Sequence, residues 1–92
     1  MVARGVRVVN RLGLHARAAA RLVRTASAFR SSIRLERADR SASADAKSIL
    51  SVLMLAASRG TELRVEAEGE DEEAALEAVC GLIEKGFGEE EA

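Results

Sequence analysis

The first apolar pattern of the chain predicts a β-strand that leads into a helix. Val6 and Val8 lie at alternate positions, which predicts a strand ending near Asn10, and Gly13 interrupts the pattern. Residues 16–28 then place small apolar side chains at helical spacing, with arginines on the opposite face. The expected inner face is Ala16, Ala19, Ala20, Val23 and Ala26, and the arginines are Arg17, Arg21 and Arg24. The small inner residues would let this helix pack closely on a sheet.

The next segment predicts two further strands joined by a turn. Ile33 and Leu35 alternate with charged residues, which is typical of a strand with one buried face. Residues 38–40 are typical of a turn, and a short third strand is expected to pass through Ala42 and Ala44.

The last half of the chain predicts a helix, a strand and a final helix. Residues 47–58 form an apolar segment that predicts a helix, and Gly60 lies where a C′ glycine would end it. Residues 62–68 alternate apolar and charged side chains up to Gly69, which predicts a strand. Residues 71–85 predict an amphipathic helix whose acidic first turn suits the helix dipole. Its expected inner residues are Leu76, Val79, Leu82 and Ile83.

The predicted element order is β-α-β-β-α-β-α. Strands with alternating patterns need one covered and one solvated face, so we expect an antiparallel sheet with the helices packed on one side. The fold class is therefore α+β, with a four-stranded sheet and three helices. With 92 residues in the chain, we expect a single domain over residues 1–88, followed by an acidic tail over residues 89–92.

Composition excludes several functional classes. Aromatic residues make up only 2% of the chain, as Phe29 and Phe87, so base stacking is not expected. The net charge of −1 gives no general attraction to nucleic acid or to an anionic membrane. Cys80 is the only cysteine, so we expect no internal disulfide and no cysteine-based metal site, and we read Cys80 as a small buried hydrophobe. No segment reads as a signal peptide or a membrane span, and a cytoplasmic location follows as the expectation.

His15 is the only histidine, and it lies where the Gly13 loop meets the first helix. A helix start presents unpaired N–H groups and partial positive charge, which together favour a bound phosphate. Imidazole is nucleophilic near neutral pH, and Arg17 can pair with phosphate oxygens through its guanidinium fork. These residues indicate a phosphoryl-accepting site, although spacing alone also permits a simple capping role for His15.

Residues 13–17, Gly-Leu-His-Ala-Arg, resemble the active-site motif of the HPr family, the histidine phosphocarriers of the phosphoenolpyruvate-dependent phosphotransferase system. Two further segments match in order and spacing. Residues 47–49 resemble the regulatory serine segment of the family, and Gly60 is followed by a strand and then by residues 67–72, Ala-Glu-Gly-Glu-Asp-Glu. The resemblance covers nearly the whole chain and implies the family's fold, an open-faced β-sandwich.

The resemblance also implies roles for individual residues. His15 would be phosphorylated on Nδ1 by phosphorylated enzyme I and would pass the group to an EIIA-type partner, while Arg17 would steady the phosphoryl group. The resemblance implies no metal and no organic cofactor for such a carrier. It also implies that the carrier is one component of a phosphotransferase chain and is not an enzyme by itself. One position departs from the pattern: Ala18 stands where the family usually has proline, which adds an N–H group and costs about 0.4–1 kcal/mol in unfolded-chain entropy.

The predicted second helix is apolar nearly all round, so one of its faces is expected to dock a partner. An alternative is that Leu50 and Leu53 only fill space between helices. The resemblance assigns the contacts with enzyme I and EIIA to the neighbourhood of this helix and of the arginines. The predicted partner-binding residues are Leu14, Ala20, Arg21, Arg24, Lys47, Leu50 and Leu53.

Ser48 has two interpretations. As an N-cap, its hydroxyl would satisfy an unpaired N–H group at the start of the second helix. The resemblance adds phosphorylation by an HPr kinase, which would place about −1.5 to −2 charges beside the docking face.

Two other functions compete with the carrier interpretation. A regulatory binding module, controlled through His15 or Ser48 without sugar transport, stays open, because residues 53–55 and 86–87 resemble a nitrogen-related branch of the family. A hydrolase or metal enzyme is poorly supported, because the chain has one histidine and no cysteine cluster. A monomer suits a shuttle and is the expected state.

Overall fold

A computed structural model describes residues 1–89 and confirms the predicted order of the elements. The strands are β1 (Val2–Arg7), β2 (Ser32–Arg37), β3 (Ser43–Asp45) and β4 (Glu62–Glu68). The helices are α1 (Ala16–Ser27), α2 (Ile49–Met54) and α3 (Glu72–Glu84), and a short 3-10 helix, Gly86–Gly88, follows them. No helix among these residues is long and apolar enough to cross a membrane.

The four strands form one antiparallel sheet in the order β1-β4-β2-β3. The central strand β4 pairs Leu63 with Val6 of β1 and Val65 with Leu35 of β2. These apolar residues are buried under the helices, whereas the alternate residues Glu62 and Arg64 are exposed. The alternation of apolar and charged residues in the sequence therefore corresponds to one covered and one solvated face of the sheet.

Helix α1 is rotated relative to the predicted inner face. Its buried residues are Ala18, Ala19, Leu22 and Ala26, and Ala16 is exposed. Leu22 is the large apolar side chain of this helix, and its complete burial sets the rotation of a helix otherwise rich in alanine. In α3, Val79, Cys80 and Ile83 are buried as predicted, and burial raises the pKa of the Cys80 thiol.

Three predicted boundaries are wrong. Strand β1 ends at Arg7 rather than near Asn10, although the N–H group of Val8 still donates to the Thr61 carbonyl at 2.9 Å. Strand β3 begins after Ala42. Helix α2 covers Ile49–Met54, much less than residues 47–58, because Ala56 adopts a positive φ of 50° and redirects the chain. Gly60 consequently lies in the turn before β4 and not at a helix C′ position.

Candidate functional site

A tight loop after β1 positions the start of α1. The Gly13 N–H group donates to the Asn10 carbonyl at 3.1 Å, and Asn10 Nδ2 donates back to the Gly13 carbonyl at 2.8 Å. Gly13 has φ of 66°, and a Cβ atom at this position would lie 2.4 Å from the Ala57 carbonyl oxygen. The N–H group of Leu14 donates to the same oxygen at 2.9 Å. The loop is thus fixed to the segment that follows α2.

His15 is the N-cap of α1. Its carbonyl accepts from the N–H group of Ala19 at 2.8 Å, and its side-chain Nδ1 accepts from the N–H group of Arg17 at 3.3 Å. The other ring nitrogen, Nε2, lies 2.6 Å from Oε2 of Glu89. Because Nδ1 accepts and Nε2 faces a carboxylate, these partners assign the proton to Nε2 and leave the lone pair on Nδ1. The capping interpretation of His15 is therefore correct, and it leaves Nδ1 in the nucleophilic form.

The first turn of α1 presents backbone donors to this nitrogen. The first intrahelical bond is made by the N–H group of Ala19, so those of Ala16, Arg17 and Ala18 precede it without intrahelical acceptors. The first turn holds no acidic side chain. The partial positive charge of the helix start is therefore not offset within the helix.

The three predicted arginines do not form one uniform stripe. Arg17 and Arg24 are exposed, but Arg21 is half-buried and donates through Nη1 to the Phe87 carbonyl. Arg17 and Arg21 border an open depression beside the His15 ring. The lining of this depression is Arg11, Leu12, His15, Ala16, Arg17, Arg21, Gly88 and Glu89.

The sequence predicts that an acidic tail begins at Glu89, but in the structure the Glu89 side chain belongs to the His15 site. The Glu89 side chain is 21% exposed and contacts both His15 and Asn10. Burial alone would raise the pKa of the Glu89 carboxyl, but hydrogen bonds from His15 and Asn10 lower it below its usual value. Residues 90–92 of the predicted tail lie outside the described residues.

The sequence gives no local signal for the role of Glu89, because its partners lie more than seventy positions earlier. Asn10 could have been recognised as a turn residue before Gly13. Among the described residues, no cluster of histidine, cysteine or acidic side chains could hold a metal ion.

The apolar side chains of α2 divide into two sets. Val52 is buried and Leu53 is half-buried, whereas Leu50 and Met54 are 71% and 80% exposed. Filling space between helices therefore cannot account for Leu50, and the exposed set lies on the surface predicted to dock a partner.

Other predicted partner-binding residues are less accessible. Leu14 is 5% exposed and packs in the core, so the prediction that it contacts a partner directly is wrong. Ala20 is half-buried, and Lys47 Nζ donates to the Phe29 carbonyl at 2.8 Å. Lys47 thereby ties the start of α2 to the chain that leaves α1.

Ser48 is the N-cap of α2, as one of its two interpretations requires. Its Oγ accepts from the N–H group of Ser51 at 3.4 Å, and its carbonyl accepts from that of Val52 at 3.0 Å. The side chain is half-buried and immediately precedes the exposed residues of α2.

Comparison with known proteins links this site to a family. Residues 2–85 match the family described as PTS HPr component, phosphorylation site. The phosphocarrier protein HPr of Xylella fastidiosa is 49% identical over 83 residues, which span 90% of this chain and 91% of the relative. The HPr of Cupriavidus necator is 44% identical over 91 residues, 99% of this chain and 100% of the relative.

A solved structure agrees with these sequence matches. The crystal structure of HPr-C-His from Thermoanaerobacter tengcongensis superposes with a TM-score of 0.91 at 43% identity. The superposition covers 99% of this chain and 100% of that chain. The chain therefore belongs to the HPr family.

Proposed function

We propose that this HPr-family chain is a phosphocarrier of the phosphotransferase system that accepts a phosphoryl group from enzyme I on Nδ1 of His15 and delivers it to an EIIA-type protein. The observation that carries the proposal is the arrangement of the His15 ring. Nδ1 holds its lone pair beside the backbone donors of a helix start, and Nε2 holds the proton beside a carboxylate.

The transfer step follows from this arrangement. The Nδ1 lone pair attacks phosphorus, the P–N bond to the histidine of the donor breaks, and a P–N bond to His15 forms. The Nε2 proton stays in place, so the ring becomes cationic while the donor imidazole recovers its lone pair. The same exchange in reverse order, with an acceptor imidazole as the nucleophile, would deliver the group onward.

The stabilisation that a helix N-terminus gives to an anion is of a size that suits a carrier. Charge near a helix N-terminus is stabilised by about 0.3–1 kcal/mol when exposed and by up to about 2 kcal/mol when partly buried. This interaction would orient the phosphoryl oxygens without making the phosphorylated state too stable to react. The exposed Arg17 guanidinium, at the edge of the same depression, could add a bidentate contact.

Labelled phosphoenolpyruvate and enzyme I test the proposal directly. We expect the parent chain to acquire phosphate that is labile in acid and stable in base, and we expect His15→Ala to acquire none. Ser48→Ala is the matched control, because it alters another helix N-cap and should be labelled normally. Label that persists in His15→Ala would refute the assignment.

The exposed part of α2 is the proposed docking surface for both protein partners. Leu50 and Met54 offer apolar area, and the exposed Arg24 of α1 offers positive charge. We expect Leu50→Ala to slow transfer from enzyme I and to leave the free energy of unfolding nearly unchanged. Glu73→Ala, at an exposed position of α3, is the control for a general surface effect.

A regulatory role through Ser48 is a second candidate, favoured by the position of this residue. A phosphate on Ser48 would be compatible with the helix start and would place negative charge beside Leu50, where it would repel an acidic partner. Incubation with ATP and an HPr kinase should label the parent and His15→Ala but not Ser48→Ala. Pull-down of partners with and without this phosphate would separate a regulatory module from a carrier.

A further inference from the structure

The carboxylate of Glu89 is the one acidic group that contacts the His15 ring among the residues that the structure describes. We propose that Glu89 is a positioning residue that holds the His15 ring with its proton on Nε2, so that Nδ1 is the nucleophile. The proposal deepens the phosphocarrier function and rests on it for its biological meaning. The tautomer of the His15 ring is a property of the unphosphorylated protein and can be measured without any partner.

Both oxygens of the Glu89 carboxylate are engaged. Oε2 lies 2.6 Å from His15 Nε2, and Oε1 accepts from Asn10 Nδ2 at 3.0 Å. Asn10 is 1% exposed, and the same nitrogen donates to the Gly13 carbonyl at 2.8 Å. The orientation of the carboxylate is therefore set from the same loop that delivers His15 to the start of α1.

The backbone that carries Glu89 is also fixed. Phe87 is fully buried, and its carbonyl accepts from Arg21 of α1. The N–H group of Glu89 donates to the Gly86 carbonyl at 3.1 Å. The turn that precedes residue 89 thereby fixes its backbone, and its side chain does not rely on the ion pair with His15 to reach the site.

A carboxylate opposite Nε2 selects one form of the ring. It can accept a hydrogen bond from Nε2–H, whereas a bare Nε2 would face its negative charge. The neutral ring with its proton on Nδ1 would also lose the bond from the N–H group of Arg17. Both neighbours therefore favour the same tautomer, in which the Nδ1 lone pair points at the helix start.

The same contact assists the transfer. When Nδ1 forms its bond to phosphorus, positive charge develops on the ring and Nε2–H remains protonated. The Glu89 carboxylate lies against that charge, on the opposite side of the ring from the incoming group. In metal sites, removal of a carboxylate that orients a ligating histidine typically costs about 10–100-fold in affinity or activity. We expect an effect at the lower end of that range here.

Nitrogen NMR of the protein with isotope-labelled nitrogens in its His15 ring tests the proposal without any partner. The parent should show an Nδ1 signal typical of an unprotonated nitrogen and an Nε2 signal typical of a protonated one, at a pH where the ring is neutral. In Glu89→Ala the two signals should move toward each other as the second tautomer becomes populated. Glu89→Gln keeps the side-chain length and should show a smaller shift. Glu73→Ala is the control and should match the parent.

The rate of labelling by enzyme I supplies the functional readout. We expect Glu89→Ala to lower the rate by about tenfold, with a smaller loss in Glu89→Gln. If both variants fold as the parent does and keep its tautomer, the proposal is overturned. Glu89 would then only stabilise the packing of the turn at residues 86–89. That result would leave the proposed phosphocarrier function intact, because the separate test of that function is the loss of label in His15→Ala.

Discussion

Helices α1 and α3 begin in opposite ways. The first turn of α1 contains no acidic residue, and a half-exposed imidazole caps it. The first turn of α3 contains Glu72 and Glu73, and Asp71 before it accepts hydrogen bonds from the N–H groups of Arg30 and Ser31, both at 2.9 Å. A helix start favours a bound anion when no acidic side chain of the first turn offsets its positive charge, and of these two helices only α1 lacks such a side chain.

The two starts also differ in what holds them. Asp71 ties α3 to the chain between α1 and β2 through Ser31, which is 1% exposed. His15 makes its contacts with a loop and with the C-terminal turn, beside an open depression. Changes at α3 should therefore affect folding, and changes at α1 should affect phosphoryl acceptance.

The largest effect is expected from Gly13→Ala, which disturbs the loop that delivers His15. The new Cβ would meet the Ala57 carbonyl at 2.4 Å at a positive φ of 66°. We expect a loss of about 1–3 kcal/mol from overpacking and a further 1–3 kcal/mol from backbone strain, measured by urea denaturation. Gly60→Ala is the control, because its φ is 92° and no atom lies within 4 Å of its Cβ. Equal losses in the two variants would contradict the steric argument.

The next test concerns the pH dependence of stability at α3. A side-chain hydrogen bond from Ser31, and further bonds from the backbone of Arg30 and Ser31, lower the pKa of Asp71 from 3.8 to about 2. A carboxyl with a lowered pKa in the folded state stabilises the protein above its unfolded pKa and loses that stabilisation as the pH falls through the folded value.

Asp71→Asn should therefore flatten the fall in stability between about pH 4 and pH 2, where the parent carboxyl becomes protonated. Urea midpoints measured across this range for the parent and the variant would show the difference. Curves that stay parallel would mean that Asp71 does not link α3 to the preceding chain in the way we describe.

A smaller effect on stability is expected at α2, whose start is capped by the neutral side chain of Ser48. Ser48→Ala removes a neutral cap, and since the Oγ to Ser51 N distance is a long 3.4 Å, we expect a loss of about 0.5 kcal/mol. Thermal or urea unfolding would measure it, and Ser48→Asp, which retains a cap acceptor, should recover most of the loss. A loss of several kcal/mol would show that Ser48 is more than a cap.

The smallest effect on stability is expected from Arg17→Ala, which sharpens the contrast between the two starts most clearly. Arg17 is exposed, so the free energy of unfolding should change by less than about 0.5 kcal/mol. Labelling by enzyme I should nevertheless slow, because a guanidinium at the edge of the depression beside His15 is lost. Arg34→Ala, which removes an exposed arginine from the solvated face of β2, is the matched control. An equal effect of both variants would indicate long-range attraction instead of a contact with phosphate.

The sequence predicted the elements that local patterns determine. The limits of β4 and the start of α1 were read correctly, since alternation and the Gly13 to His15 junction are local signals. The limits of α2 were not, because an apolar run continues past Met54 while the backbone turns away at Ala56. Periodicity cannot report this turn, because the hydrogen bond beside it, from the N–H group of Leu14 to the Ala57 carbonyl, joins segments far apart in the sequence.

The candidate site was predicted in the same unequal way. His15 and its position at a helix start came from one short segment, but its partner Glu89 lies at the far end of the chain. The rotation of α1 was misjudged because alanines on several faces leave the inner side undetermined until Leu22 is placed. Contacts between remote segments depend on the whole fold, and no pattern of neighbouring residues encodes them.

The direction of β1 determines where a tag or fluorophore can be attached without disturbing the site. The Met1 amino group lies 3.2 Å from Glu72 at the start of α3, and the six residues of β1 then carry the chain about 20 Å away toward the Asn10 loop. A purification tag or fluorophore attached ahead of Met1 would therefore be well separated from the reacting imidazole. A label placed at Glu89 would instead lie against the imidazole, so kinetic assays are best performed with labels at the Met1 end of β1.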